Sequence, residues 1–203
     1  MYKYNGGHIE LIIGPMFAGK TTELIRRLTR AQYAGQKIIV FKPVIDDRYS
    51  ESHVVSHNGE KIYSIVTNDF NDIMNISKDY DVIAIDEIQF FPSHGPVVEN
   101  EQELILGINE LLNKLADKGK EIIVTGLDMD FKCEPFTNTM LIAGIAEKID
   151  KLTAICINCG APATRSQRLV NGKPAYSTDP SIIIGGKESY EARCRKCHKI
   201  LFK

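Results

Sequence analysis

A mainly parallel α/β sheet followed by a small cysteine-rich module is the architecture this sequence predicts, and three observations predict it. Short apolar runs alternate with stretches of helical spacing, so successive strands must be joined by crossovers, and helical crossovers make a parallel sheet. An apolar run, Ile9 to Ile13, broken only by Glu10, leads directly into the glycine-rich octapeptide Gly14 to Thr21. Cys156, Cys159, Cys194 and Cys197 form two C-x-x-C pairs near the C-terminus, with 34 residues between the pairs. At 203 residues, 43% hydrophobic and 25% charged, the chain has room for one full core and one appendage, not for two large domains. The composition shift places residues 1–152 in the α/β domain and 153–203 in the cysteine module.

The elements follow in order. After the glycine-rich turn, Thr22 to Ala34 carries Leu24, Ile25, Leu28 and Ala31 on one helical face and is closed by Gly35. Lys37 to Phe41 is a short buried strand, and Pro43 to Glu60 is a polar loop containing Asn58-Gly59. His53 and His57 in that loop have no ligand partner at metal spacing and read as solvated residues. Lys61 to Val66 is a further strand, Asp69 to Lys78 a weak helix, and Val82 to Ile85 a strand buried on both faces. Leu104, Ile108, Leu111, Leu112 and Leu115 mark a helix closed at Lys118-Gly119, and Glu121 to Thr125 is the next strand. Gly126 to Thr139 reads as a loop past a strand end.

Gly14, Pro15, Met16, Phe17, Ala18, Gly19, Lys20 and Thr21 match the phosphate-loop pattern G-x-x-x-x-G-K-[ST] in its strand-to-helix setting. Inward backbone N–H groups and a helix N-terminus suit triphosphate oxygens, with Lys20 at the β/γ-phosphates and the Thr21 hydroxyl on Mg²⁺. In Asp81-Val-Ile-Ala-Ile-Asp86-Glu87 a buried strand ends in two carboxylates, where parallel sheets place ligand chemistry. Asp86 can share the Mg²⁺ with Thr21, and Glu87, one residue on, can deprotonate an attacking hydroxyl or water. The plainer alternative is a pair of solvated carboxylates. Phe90 and Phe91 follow at once; Phe131 and Phe136 lie in the later loop, where a planar ligand could stack or the rings could plug the core.

Facing C-x-x-C turns suit a structural Zn²⁺ held by four thiolates, here Cys156, Cys159, Cys194 and Cys197. Disulfides are disfavoured because the N-terminus lacks a secretory pattern, and a redox dithiol needs only one pair. The long segment between the pairs must loop out. Cys133 reads as a free thiol. A formal net charge of −1 gives no footprint for a nucleic-acid backbone, and no apolar run reaches bilayer length, so the expectation is a cytoplasmic protein without nucleic-acid or membrane partners. A nucleotide-dependent phosphotransferase, a nucleic-acid-stimulated ATPase and a zinc-ribbon interaction module all fit these motifs. Asp86-Glu87-Ile88-Gln89 is similar to a helicase DExx box, but length and charge weigh against the ATPase.

GPMFAGKTTEL, DDRYS, IDEIQFF, GLDMDF with EPF, KLTAICINCG, and IIGG with Tyr190 and C-R-K-C occur in one order from Gly14 to Cys197. Together they resemble the thymidine kinase family of the cytosolic, zinc-containing type. The resemblance implies a RecA-like phosphate-loop domain and a zinc domain whose long loop, the lasso, closes over the nucleoside. It implies transfer of the ATP γ-phosphoryl to the 5′-hydroxyl of thymidine, and of deoxyuridine, with Glu87 as base. It places Asp46, Asp47, Arg48, Asp86 and Gln89 with the phosphate loop at ATP. Phe90, Phe131, Phe136, Ser181, Ile182, Ile183, Ile184, Gly185 and Tyr190 then fall at the nucleoside. It also implies a homotetramer inhibited by dTTP. Two features depart from the family pattern: Ser93 to Glu103 reads as an insertion, and Cys133 precedes EPF where Gly or Arg is usual.

Overall fold

The computed structural model describes residues 4–44, 53–55, 61–94, 107–181 and 190–202, with 53–55 and 61 described by backbone alone. Its centre is a sheet of six strands, all paired in parallel. In chain order these are β1 (His8–Gly14), β2 (Ile38–Lys42), β5 (Ile65–Val66), β6 (Val82–Ile85), β7 (Glu121–Leu127) and β8 (Lys148–Lys151), arranged β5-β2-β6-β7-β1-β8. Two further short strands, β3 (His53–Val55) and β4 (Lys61–Tyr63), pair antiparallel with each other. In the register, Gly14 lies beside Leu127, Ile13 beside Lys151, and Ile85 beside Val124 and Phe41. The carboxyl ends of β1, β6, β7 and β8 therefore share one edge, and the loops that leave them meet there.

Helix α1 (Lys20–Tyr33) packs Leu24, Ile25 and Leu28 onto Ile12, Val40, Val82, Ala84 and Ile123 on one face of the sheet. Helices α2 (Phe70–Ile76), α3 (Ile108–Asp117) and α4 (Thr137–Ile145) cover the other face, over Ile9, Leu11, Ile13, Phe41, Ile83 and Ile85. The β-strand period of two sorts β1 between these layers. It also explains Glu10, the polar residue in an apolar strand: it turns toward α1, where Arg27 donates to it and Lys148 Nζ lies 3.3 Å away. The Arg27 guanidinium bonds Asp150 Oδ2 at 2.6 Å and Glu23 Oε1 at 2.8 Å as well, so this partly buried charge has carboxylates on three elements.

The expected strand over Lys61 to Val66 is two strands, β4 and β5, in different sheets. Ser64, 1% exposed, separates them, and the chain changes partners across it. The expected loop from Gly126 to Thr139 is shorter than read. β7 runs on to Leu127, Met129 bridges Pro135, and α4 starts at Thr137. The expected helix from Leu104 starts, within the described residues, at Ile108.

The cysteine module is more regular than a looped-out segment. β9 (Ala154–Ile155) pairs with β10 (Pro162–Ala163). β11 (Arg165–Val170) pairs antiparallel with both β12 (Lys173–Pro174) and β13 (Tyr190–Arg193). About half of the described residues between the cysteine pairs are thus in strands. β11 buries Arg165, Ser166, Gln167 and Arg168, because it lies against the phosphate loop and the turn after β7 rather than in solvent.

Candidate active site

The phosphate loop wraps between β1 and α1 with two glycines in conformations that side chains resist. Gly14 has φ +151° and a Cβ there would meet Leu152 O at 2.5 Å; Gly19, at φ +83°, caps α1. Phe17 adopts φ +65° without being glycine, a conformation that costs on the order of 1–2 kcal/mol and is held by the packing of its ring. Lys20 is buried and its Nζ donates to Pro15 O at 2.9 Å. Burial holds this ammonium below the usual lysine range, while the charges of Glu87, Asp86 and Asp128 push it back up. Thr21 is half-buried in the first turn of α1.

Asp86 leaves the end of β6 with 4% exposure. Its Oδ1 accepts from Thr125 Oγ1 on β7 and from the Glu87 N–H at 3.1 Å. Burial raises its carboxyl to about 6 and the Glu87 charge adds to the effect, against Thr125, Lys42 and Lys20. Glu87 stands at φ +56°, a left-handed non-glycine residue that turns its side chain off the strand line. Gln89 Nε2 donates to Glu87 Oε2, and Gln89 Oε1 accepts from Leu127 N at 3.0 Å. Both ends of the Gln89 amide are therefore engaged inside the protein, and it braces Glu87 against β7. Asn138 on α4 ties down the same turn, its Nδ2 donating to Phe91 O at 2.7 Å and Ile88 O at 3.4 Å.

Phe131 and Tyr190, far apart in sequence, pack in one cluster with Ala175, Met16 and Phe17. Arg168 on β11 stacks its guanidinium 5.3 Å from the Phe131 ring centre and donates to Pro180 O. Phe136 is half-buried at the start of α4, Phe90 is half-buried, and Phe91 belongs to the main core. Ser181 ends a described stretch half-buried. Asp46, Asp47, Arg48, Ile182, Ile183, Ile184 and Gly185 lie outside the described residues, as do His57 and most of the Ser93 to Glu103 segment.

Sequence reasoning missed three contributors. Ser166 Oγ accepts from Met16 N at 3.0 Å, so the cysteine module bonds the phosphate loop directly. Arg168 is the second. Asp128, at the end of β7, is 2% exposed with Lys151 Nζ 2.8 Å from its Oδ2 and contributes to the field at Lys20. An acidic residue just past an apolar strand, the feature that marked Asp86, was present at Asp128 too.

The four cysteines come together with all Sγ atoms within 4.8 Å of one another, Cys159 and Cys194 at 3.6 Å. A tetrahedral Zn²⁺ with bonds of about 2.3 Å needs sulfur separations of about 3.8 Å, so the donor set fits that ion. The two turns are alike. Gly160 N and Cys159 N donate to Cys156 O at 2.8 and 3.3 Å, and His198 N and Cys197 N to Cys194 O at 3.0 and 3.1 Å. Burial pushes the Cys156 thiol up, but backbone donors of Cys194, Asn158 and Cys159 outweigh it and hold it at about 6. At Cys159 the Ala161 backbone pulls down, yet the neighbouring sulfurs raise the thiol to about 11. Adjacent sulfurs that resist sharing negative charge are what a dication stabilises.

A sequence model of the thymidine kinase family matches residues 7–198, from the start of β1 through the second cysteine turn. The chain belongs to the thymidine kinase family. A curated relative, the thymidine kinase of Deinococcus deserti, is 49% identical over 208 aligned positions covering 97% of this chain and 96% of that protein. The match spans both cysteine pairs, the phosphate loop and the Asp86-Glu87 strand end, so the family assignment covers every part of the site described above. No helix among the described residues is long and apolar enough to cross a membrane.

Proposed function

We propose that this kinase transfers the γ-phosphoryl group of ATP to the 5′-hydroxyl of thymidine, and of deoxyuridine, within nucleotide salvage for DNA synthesis. The observation that carries the reading is the shared cluster of Phe131, Tyr190, Met16 and Phe17: an aromatic wall suited to a planar base packs directly on the loop suited to triphosphate. Donor and acceptor pockets that touch make in-line transfer a matter of positioning.

In this reading Gly14 to Thr21 cradle the phosphates with Asp46, Asp47 and Arg48 approaching from the loop after β2. Lys20 leaves Pro15 O for the β/γ-phosphate oxygens. Mg²⁺, held by Thr21 and Asp86, supplies neutralising charge at the transferring group when bound. Burial and the Glu87 charge raise the Asp86 carboxyl, and a dication beside it would relieve both, so Asp86 with the Thr21 hydroxyl is an oxygen donor pair that suits such a cation. Glu87 accepts the 5′-hydroxyl proton, Gln89 holding one carboxylate oxygen so that the other faces the nucleoside. Phe90, Phe131, Phe136 and Tyr190 flank the base, and Ser181 to Gly185 read its polar edge through peptide groups. The four thiolates hold structural Zn²⁺ and keep residues 153–203 as a module closing over domain 1–152. We further propose inhibition by dTTP, which carries thymidine and a triphosphate in one molecule, and a cytoplasmic homotetramer.

The test is phosphotransfer with ATP and Mg²⁺ against the four deoxynucleosides, with ATP hydrolysis measured with and without nucleic acid. Formation of dTMP, competed by dTTP more than by dCTP, is the expected result. Absence of dTMP, or hydrolysis stimulated by nucleic acid, overturns the reading.

A further inference from the structure

The second cysteine turn ends in His198, whose side chain leaves the thiolate cluster and enters the turn that carries Phe131. The residue belongs to the knuckle's own backbone, since its N–H donates to Cys194 O at 3.0 Å. The next residue is clamped from the other side. Gln167 Nε2 donates to Lys199 O at 2.8 Å and Lys199 N donates back to Gln167 Oε1 at 2.8 Å. Between knuckle and clamp the half-buried imidazole has little freedom. Its Nδ1 lies 3.9 Å from Cys133 Sγ, two residues past Phe131 in the same turn. Nε2, by contrast, is buried with no partner among the described residues.

The receiving turn is built around Asp130, whose Oδ1 accepts from Lys132 N at 2.8 Å and Glu134 N at 3.0 Å. At its apex Cys133 stands at φ +68°, where glycine or asparagine is the low-cost choice. A cysteine kept in that costly conformation places its sulfur against His198. The sequence left Cys133 without a role, and this contact supplies one.

We infer that His198 is a positioning residue that ties the second zinc knuckle to the Phe131 turn, so that the geometry of the metal site fixes one wall of the nucleoside pocket. The inference rests on the thymidine kinase reading for what Phe131 touches; the mechanical link itself does not.

The experiment uses the full chain purified with zinc. Asparagine places its amide nitrogen near the position of Nδ1, glutamine near that of Nε2, so the pair separates the proposed bond from simple filling of space. His198→Ala is expected to keep its zinc by metal analysis and to raise the KM for thymidine by about 5- to 20-fold, the worth of one bond to a buried partner. The KM for ATP should move by less than about twofold. His198→Asn should recover most of the loss and His198→Gln should not. Without any nucleoside, amide exchange across residues 129–135 should quicken in His198→Ala and His198→Gln, with residues 121–127 unchanged. Should His198→Ala lose zinc, Cys133→Ala loosens the same contact from outside the knuckle and should quicken exchange at 129–135 in the same sense. Unchanged exchange there, equal behaviour of the Asn and Gln variants, or a joint rise in both KM values overturns the inference. If the wild-type protein forms no dTMP, the functional reading fails while the exchange arm still decides the link.

Discussion

Adding one methyl group at Gly126 tests how Glu87 is held. A Cβ there would stand 2.5 Å from Ile88 Cγ2, 2.9 Å from Gln89 Oε1 and 3.3 Å from Thr139 Oγ1. Ile88 is fully buried in the main core and has no room to retreat. The Gln89 amide is pinned between Leu127 N and Glu87. Relief must come from moving the turn of residues 88–90, and Glu87 moves with it. Overpacking of this kind costs about 1–3 kcal/mol, and a lost Gln89–Leu127 bond adds about 1 kcal/mol. At about 2–4 °C per kcal/mol for a chain of this size, Gly126→Ala should unfold roughly 5–15 °C lower. A base displaced by about 1 Å should lower kcat by about 10²-fold, with little change in the KM for ATP because the phosphate loop is untouched. Calorimetry and single-turnover phosphotransfer measure the two effects. A variant with wild-type Tm and wild-type turnover would refute the idea that close backbone approach at Gly126 sets the position of Glu87.

Glu87→Gln keeps the bond to Gln89 and removes the base, so turnover should fall by about 10²- to 10⁴-fold with ATP binding retained, read by equilibrium binding beside single-turnover rates. Cys156→Ser should abolish stoichiometric zinc in protein prepared without chelators and unfold the C-terminal module first; full zinc content in the variant would contradict the four-thiolate site. Asp86 has a folded pKa of about 6, above the unfolded value of about 3.9, so the protonated carboxyl stabilises the fold at low pH and that contribution is lost as pH rises through about 6. In magnesium-free buffer Asp86→Asn should therefore be more stable than wild type at pH 8 by up to about 3 kcal/mol, with the gain vanishing near pH 4 and phosphotransfer abolished. Denaturant titrations at the two pH values check it, and a pH-independent difference would count against it.

The elements legible in the sequence are those whose signal is local. β1, α1 and β6 carry their periodicity and their functional residues in the same dozen positions, so the phosphate loop and the Asp86-Glu87 strand end were readable without any tertiary information. α4 was not, because Thr137–Ile145 presents no one-sided apolar stripe: Asn138 and Thr139 are buried while Met140 and Leu141 are exposed. β8 was not, because an edge strand reading Lys-Ile-Asp-Lys looks like a polar connection until Arg27 and Glu10 are placed beside it. Ser64 did not break the apparent strand at 61–66, since the change of partner that it marks lies in the fold and not in the pattern.

The part of the site that stayed hidden is the seam between the phosphate loop and the cysteine module. Residues 165–168, Arg-Ser-Gln-Arg, carry no apolar signal and fall in a segment expected to loop out, yet all four are buried, and the reason is 150 positions away at Met16. The octapeptide pattern leaves Met16 and Phe17 unspecified, as if they were spacers. In the fold, Phe17 stands left-handed with its side chain packed both on the cluster that holds Cys156 and Cys194 and on the one that holds Phe131 and Tyr190. A residue that a phosphate-binding pattern treats as filler is thus the common wall of the glycine-rich loop, the aromatic cluster and the cysteine module. Only long-range packing assigns it that role, which is why a motif could single out Lys20 and Glu87 as candidates but not the surface that joins their loops to the rest of the protein.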